Sequence, residues 1–493
     1  MYKVGFLLAF ITTSFVYGLF LNRVPVHLNQ DELGFSINAY SIAKTGMDEN
    51  GRVMPIYFWH LGVMWATPAI VYLTAGVLKF FPLSEEFIRL PSVFVGLANL
   101  VLIWCLAKAY FKCEKWALAV VILLATTPVN FIHSRLLLDN LYPVPFVIAW
   151  LLCLLKYFEG KKIWVLLAGL FLLGAGMYTY HAARIMMPFY FLLTLLVVRR
   201  NYLKLSLAFA APLAPLIWWF SKYPDTLFAD QVKYTGIYKL NLFHRLDVYL
   251  NYFNPKFLFF TGDQSLIHST HRSGVFLIPL LIFIPVGIYF LWKKKDTFNR
   301  LLLAGFFTSP IAATIAGDHY RISRALFILP FATLIAVAGL KALLSVRDIR
   351  WKLTCIFLVL LIPLQFAVFY YDYMTKYRVR SYSWFNDNIP GVLESTISYV
   401  KENQVEQIYL DRRVNFIDRY WKFYTLRANT PELLSKAVYQ DPYSLVLETM
   451  PEKSLIVYNF NHIDGQKKTL GPFKKVKEII EPDGVSKFYL FAN

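Results

Sequence analysis

Apolar residues run along this chain in long blocks rather than in the stripes of a soluble amphipathic helix. A bilayer crossing needs about 20 such residues, and blocks near that length lie at 4–21, 90–109, 116–131, 141–158, 163–179, 184–198, 203–220, 273–292, 301–316, 323–342 and 352–370. The pattern predicts a polytopic helical membrane protein of roughly eleven spans. The first block follows Lys3 and lacks an A-x-A cleavage site, so an uncleaved first helix is expected. A further run, ATPAIVYLTAGVLKFF at 66–81, is short, carries Lys79 and is flanked by Trp65 and Pro82.

The basic residues between the blocks decide how that run is read. If 66–81 does not cross, the clusters Lys108/Lys112/Lys115, Lys156/Lys161/Lys162, Arg199/Arg200/Lys204, Lys293/Lys294/Lys295/Arg300 and Lys341/Arg347/Arg350/Lys352 fall on the side of Lys3. If it crosses, all of these clusters move to the other side, against the positive-inside rule. An interfacial or re-entrant 66–81 is therefore expected, with the N-terminus cytoplasmic and the tail from Tyr371 outside.

Past residue 370 the pattern changes to polar turns and short strand-like runs, QIYL (407–410), SLIVYNF (454–460) and KFYLFA (487–492), with PDG at 482–484. TPELLSKAVYQ (430–440) reads as a helix opened by Thr430 and Pro431. The expected organisation is a membrane domain over 1–370 and a small extracytoplasmic α/β domain over 371–493.

Composition agrees with the pattern: 57% of residues are hydrophobic and only 16% charged, too apolar for a soluble chain. The formal charge of +19 lies largely in the inter-span clusters, so it reports topology, and no nucleic-acid partner is expected. Cys105, Cys113, Cys153 and Cys355 have no metal-ligand spacing and none is in the tail, so neither a disulfide framework nor structural zinc is expected.

With this topology the outer segments gather the ionisable residues. The loop 22–89 holds Asp31, Glu32 and His60, and 133–140 holds His133, Arg135 and Asp139. His181 and Arg184 follow, then His268, His271 and Arg272 in the loop 221–272, then Asp318, His319, Arg321 and Arg324. Ionisable groups near membrane depth are costly and mark a functional path or site. A carboxylate opposed by Arg and His near the bilayer surface suits transfer of a group from a lipid phosphate, the carboxylate as general base and the cations on the departing phosphate. Arg184, Arg324, Arg321, His268 and Arg272 are the phosphate-binding candidates, and His60, Arg135, His181 and His319 further pocket candidates.

Plainer readings stand beside these. Asp31 and Glu32 also suit the first turn of a helix, and Asp139 can pair with Arg135 one turn away. The arginines can snorkel from helix ends. His268 and His271, three residues apart, can face one way, but no third ligand suggests a metal. The WWF at 218–220 invites comparison with the W-W-D motif of oligosaccharyltransferases, yet it ends a span and reads as part of an aromatic belt.

Three segments resemble the GT-C superfamily of lipid-carrier-dependent glycosyltransferases, in its protein O-mannosyltransferase and lipid A aminoarabinose transferase branch. They are DELGFSINAYSIAKTGMDENGRVMP (31–55), TPAIVYLTAGVLKFFPLSEEFIRLPSVFVGL (67–97) with its P-x-x-x-Y-L…R-L-P-S block, and TPVNFIHSRLLLDN (127–140) with Pro128, Ser134, Arg135 and Asp139. They recur in the order found in that branch and cover roughly the first third of the chain.

The resemblance implies a GT-C fold with two juxtamembrane helices after the first span. It implies a polyprenyl-phosphate sugar as donor, Asp31 as catalytic base with Glu32 beside it, Asp139 as a second acidic residue, and inversion at the anomeric carbon. Some members carry a phosphate-binding Lys where this chain has Thr67, so the phosphate must find other partners here. The expected protein is a cytoplasmic-membrane glycosyltransferase acting on the outer face upon a protein, lipid or polysaccharide. A lipid-linked-sugar flippase and an O-antigen ligase or polymerase are its rivals; the first wants mid-span charges and an inverted repeat, the second a late Arg/His loop.

Overall fold

The computed structural model describes residues 1–226, 241–441, 444–459 and 471–493. Part of the expected outer loop, 227–240, and Phe460 of the strand-like run lie outside these residues.

Each apolar block lies wholly or largely in helix. Helix α1 spans Tyr2–Gly18, α2 Gln30–Thr45, α3 Pro68–Leu78 and α4 Glu85–Phe111. Helices at Glu114–Ala125, Val144–Gly160, Ile163–Gly176, Ala183–Val198, Leu280–Lys294, Ile328–Leu344 and Ile349–Met374 continue the bundle, and blocks are interrupted at 126–127, 211–213 and 309–310. Among the described residues five segments are long and apolar enough to cross a membrane by themselves, Glu85–Phe111, Asp139–Gly160, Tyr202–Lys222, Thr297–Ala316 and Ile349–Met374. The block read at 273–292 becomes helical only at Leu280; before it, Gly274 packs on the backbone of Leu258 and Phe259, and the N–H groups of Val275 and Phe276 donate to the carbonyls of Phe257 and Leu258.

Helix α3 has 11 residues. At 1.5 Å per residue that is about 16 Å, half of a bilayer core of about 30 Å. It runs beside α2 and α4 as a short element at the bundle end. Helices Leu280–Lys294 and Ile328–Leu344 cross where Gly287 and Gly339 bring the backbones together, since a Cβ at either glycine would strike the opposite backbone. Close approach through small residues suits helix packing in a medium with no hydrophobic drive between helices.

The tail forms a mixed five-stranded sheet. Strands β1 (Phe58–His60) and β2 (Met64–Ala66) make a separate hairpin in the long loop. In the tail, β3 (Gln407–Asp411), β4 (Ala437–Gln440), β5 (Ser454–Asn459), β6 (Lys474–Ile480) and β7 (Ser486–Ala492) lie in the order β4-β3-β5-β7-β6. The helix expected at 430–440 is a single turn at Pro431–Leu434 followed by β4, which pairs in parallel with β3. A vacant sheet edge offers Ala437–Gln440 ladder hydrogen bonds that a short exposed helix cannot match, so tertiary context overrides the local pattern. The hairpin from β6 to β7 turns at Pro482–Gly484, where Gly484 takes φ +86°.

Helix Ile389–Glu402 packs on the sheet, and Ile417–Arg427 packs on that helix and docks on α2. Buried Glu49, just past α2, accepts from Arg419 at 2.6 Å and Lys422 at 3.0 Å. Tyr420 donates to the Leu28 carbonyl at 2.8 Å. The sheet domain therefore braces the segment that carries the acidic pair.

Candidate active site

Asn29 starts α2. Its side chain accepts from the Asp31 N–H at 2.9 Å, and the Glu32 carboxylate reaches back to the Asn29 N–H at 2.9 Å. This reciprocal cap satisfies two donors that a helix start leaves open. The plain reading of the acidic pair thus describes Glu32. Its side chain is buried and bound by Arg89 through Nε at 2.8 Å and Nη2 at 2.9 Å. It also accepts from the Leu137 N–H at 3.0 Å. Arg89 donates further to the carbonyls of Leu21 and His27, each at 2.8 Å. One buried pair thereby ties α1, the cap, α4 and the 133–138 turn together, and Glu32 presents no surface to a substrate.

Successive helix residues point about 100° apart. With Glu32 held inward, Asp31 turns outward and its side chain is 46% exposed. Its Oδ1 lies 3.5 Å from Nε2 of His60, which is buried on β1. The imidazole lies against Gly34, where a Cβ would overlap the ring, and 4.5 Å from the centre of the Phe35 ring. A half-exposed carboxylate can reach the hydroxyl of a bound molecule, and the buried imidazole beside it limits where it points.

Asp139 lies on the turn before the helix Val144–Gly160, buried, and accepts from Thr67 Oγ1 at 2.9 Å. Thr67 is also within 3.2 Å of the Thr179 carbonyl. Asp31 and Arg184 both lie within electrostatic reach of Asp139. The position where some relatives place a phosphate-binding lysine here carries the hydroxyl that anchors the second carboxylate. Asp139 makes that bond across the fold rather than pairing with Arg135 on its own turn. Arg184 stacks over the Tyr57 ring at 4.7 Å, and His181 Nε2 is 3.0 Å from the Trp65 carbonyl. Asp31, His60, Asp139, His181 and Arg184 therefore gather around the β1–β2 hairpin and the start of α3.

The other candidates lie elsewhere or are turned inward. Arg135 is fully buried and donates to the carbonyls of Tyr17 at 2.6 Å and Val24 at 2.8 Å, between the rings of Phe131 and Tyr373. Those contacts make it a clamp on the end of α1, not a pocket wall. Arg324 reaches Asp318 at 2.5 Å and Arg321 approaches the same carboxylate at 3.8 Å, so Asp318 offsets part of their charge. The turn Ile322–Arg324 nevertheless packs against Asp139–Leu141, which keeps Arg324 near the second acid.

His268 stacks in parallel on His133 at 5.0 Å, and enclosure holds it well below the usual histidine range. His271, with φ +57°, turns to the Gln264 carbonyl at 2.9 Å, so these two histidines do not face one way. Arg272 is exposed beside them, and His319 meets Asn251 at 3.0 Å and Asp247 at 3.9 Å. Trp218 is exposed as a belt residue should be, but Trp219 is buried among Tyr57, Trp65 and Tyr223. Among the described residues no group of three His, Cys, Asp or Glu is placed to hold a metal ion.

Arg89, Gly34 and Tyr57 were not singled out as site residues from the sequence. Arg89 sits in the R-L-P-S block, which was the available signal.

Residues 66–219 match the family model for dolichyl-phosphate-mannose-protein mannosyltransferase. No curated protein is significantly similar in sequence. Among solved structures, ArnT from Cupriavidus metallidurans in the apo state is similar at TM-score 0.58 and 12% identity, over 100% of this chain and 98% of that one. The same protein bound to undecaprenyl phosphate gives TM-score 0.59 at 12% identity, over 99% and 97%. The oligosaccharyltransferase AglB from Archaeoglobus fulgidus, in complex with an inhibitory peptide and a dolichol-phosphate, gives 0.51 at 11% identity, over 90% of this chain and 65% of that one. The family match thus covers 66–219, the R-L-P-S block included, and the likeness to the solved ArnT structures is one of fold over nearly the whole chain.

Proposed function

We propose that the protein transfers one sugar from a polyprenyl-phosphate carrier to an acceptor hydroxyl at the outer face of the cytoplasmic membrane. The observation that carries the reading is the Asp31–His60 contact at 3.5 Å, a half-exposed carboxylate beside a buried imidazole at the end of a membrane bundle. Similar folds that bind undecaprenyl phosphate and dolichol-phosphate support the choice of donor.

Asp31 takes the proton of the acceptor hydroxyl, and the oxygen attacks the anomeric carbon opposite the phosphate. The C–O bond to the carrier breaks, the phosphate leaves with the bonding pair, and the configuration inverts. His60 orients Asp31. Arg184 faces the departing phosphate from beside Asp139, with Arg324 second and Arg321, His268 and Arg272 further out. Thr67 holds Asp139 in place, and Asp139 keeps Arg184 turned toward the site. The domain over 371–493 braces α2 and takes part in choosing the acceptor.

The test is mass spectrometry of lipids that copurify with wild-type protein and with Asp31→Asn. A base-deficient variant should retain a polyprenyl-phosphate sugar that wild type consumes, and the retained species names the sugar. If neither form carries a lipid-linked sugar and Asp31→Asn supports full activity in cells, the reading fails.

A further inference from the structure

The β1–β2 hairpin has two faces. Side chains alternate along a strand, so Phe58 and His60 point to the buried face that meets Asp31, and Trp59 points away. Trp59 pairs directly with Trp65 on β2, and the two indoles meet edge-on at 5.1 Å. Both are half-buried. They line a cavity of about 400 Å³ together with Asn50, Arg52 and Asp225.

The wall is built, not incidental. Buried Asp48 accepts from the N–H of Asn50 at 2.9 Å and of Arg52 at 2.8 Å, and grips the Arg52 side chain at 2.7 Å. The guanidinium is thereby laid over the Trp65 ring at 4.8 Å. Asp48 offsets the Arg52 charge, and the rim adds a carboxylate from Asp225. A phosphate or another acidic ligand meets no net positive charge here. A neutral polyhydroxylated ring fits: its C–H face suits the electron-rich indole face, and amide, guanidinium and carboxylate match hydroxyls as donors and acceptors.

We infer that the outward face of this hairpin is a carbohydrate subsite that stacks a pyranose unit on the Trp59 face, with Trp65 and the Arg52 laid over it as the side wall. The volume falls in the usual range for small-ligand sites, about 300–1,000 Å³. Because Trp59 is the neighbour of His60 and faces away from Asp31, the stacked ring is not the one that reacts. It is a unit further along an extended glycan acceptor. Naming it an acceptor unit rests on the glycosyltransferase reading; the binding itself does not.

The experiment is saturation-transfer NMR on the full chain in nanodiscs of zwitterionic lipid, with mannotriose, maltotriose, chitotriose and galactotriose as probes. At least one trisaccharide should receive saturation from wild type, and the signal should fall at least fivefold in Trp59→Ala and in Trp65→Ala. Trp218→Ala, a belt residue, and Asp31→Asn should keep it. Should the tryptophan variants fail to fold, Asn50→Ala and Asp225→Asn on the exposed rim should each weaken the signal at least threefold. No saturation from any probe overturns the subsite, as does a signal that survives Trp59→Ala or is displaced by inorganic phosphate. The readout needs no turnover, so its failure and a failure of the Asp31 test are separable.

Discussion

Arg89 and Glu32 form a buried two-point ion pair at 2.8 and 2.9 Å, between residues 57 positions apart, while Asp31 beside Glu32 reaches solvent. Two adjacent carboxylates thus have opposite tasks. One anchors the helix start, and its burial turns the other toward solvent and His60.

Removing one partner of that pair leaves an uncompensated charge in the interior. Arg89→Leu and Glu32→Gln should each cost roughly 3–5 kcal/mol of stability. Asp31→Asn, at a half-exposed position, should stay within about 0.5 kcal/mol of wild type. Thermal unfolding of the purified variants in detergent separates the two residues, and equal losses would contradict the assignment.

Gly34 makes room for the His60 ring. Gly34→Ala should push the imidazole off Asp31 and reduce turnover by about 100-fold, the cost of an ångström-scale misplacement. Adding His60→Ala should restore the melting temperature but not the rate. Recovery of both would make His60 a packing residue only.

Glu49 is 5% exposed and holds Arg419 and Lys422 of the sheet domain. Glu49→Ala should weaken that docking by roughly 2 kcal/mol. Hydrogen exchange in 417–427 should then accelerate about 30-fold, the same difference as a ratio. Unchanged exchange would show that Tyr420 and the apolar contacts suffice.

Asp263 accepts from the N–H groups of Ile322 at 2.6 Å and Ser265 at 2.7 Å. Burial outweighs those bonds and pushes its carboxyl up to about 7 from 3.8. The native state therefore keeps a proton that the unfolded chain has lost, and stability falls as pH rises from about 4 to about 7, then levels. Asp263→Asn should flatten that slope in unfolding curves taken across the range. An unchanged slope would place the titration elsewhere.

The apolar blocks, their helices and the shortness of α3 were legible in the sequence, because hydrophobic length is a property of consecutive residues. The resemblance to the GT-C branch was legible too, because its motifs keep their order along the chain, and the fold it implies is the one the solved ArnT structures share. The strands at 407–411 and 486–492 followed from local patterning, whereas β4 did not, since its partner lies 29 positions away at Ile408 and Ala437. Which of Asp31 and Glu32 faces solvent was equally hidden: that depends on Arg89, brought from α4 by packing. The same holds for His60 against Gly34, for Thr67 on Asp139, and for the failure of His268 and His271 to face one way. Sequence by itself determined which segments are apolar enough to enter a membrane, because transfer to lipid is summed residue by residue. Only the tertiary structure decided which of those groups meet, because a contact between distant side chains depends on how whole helices pack.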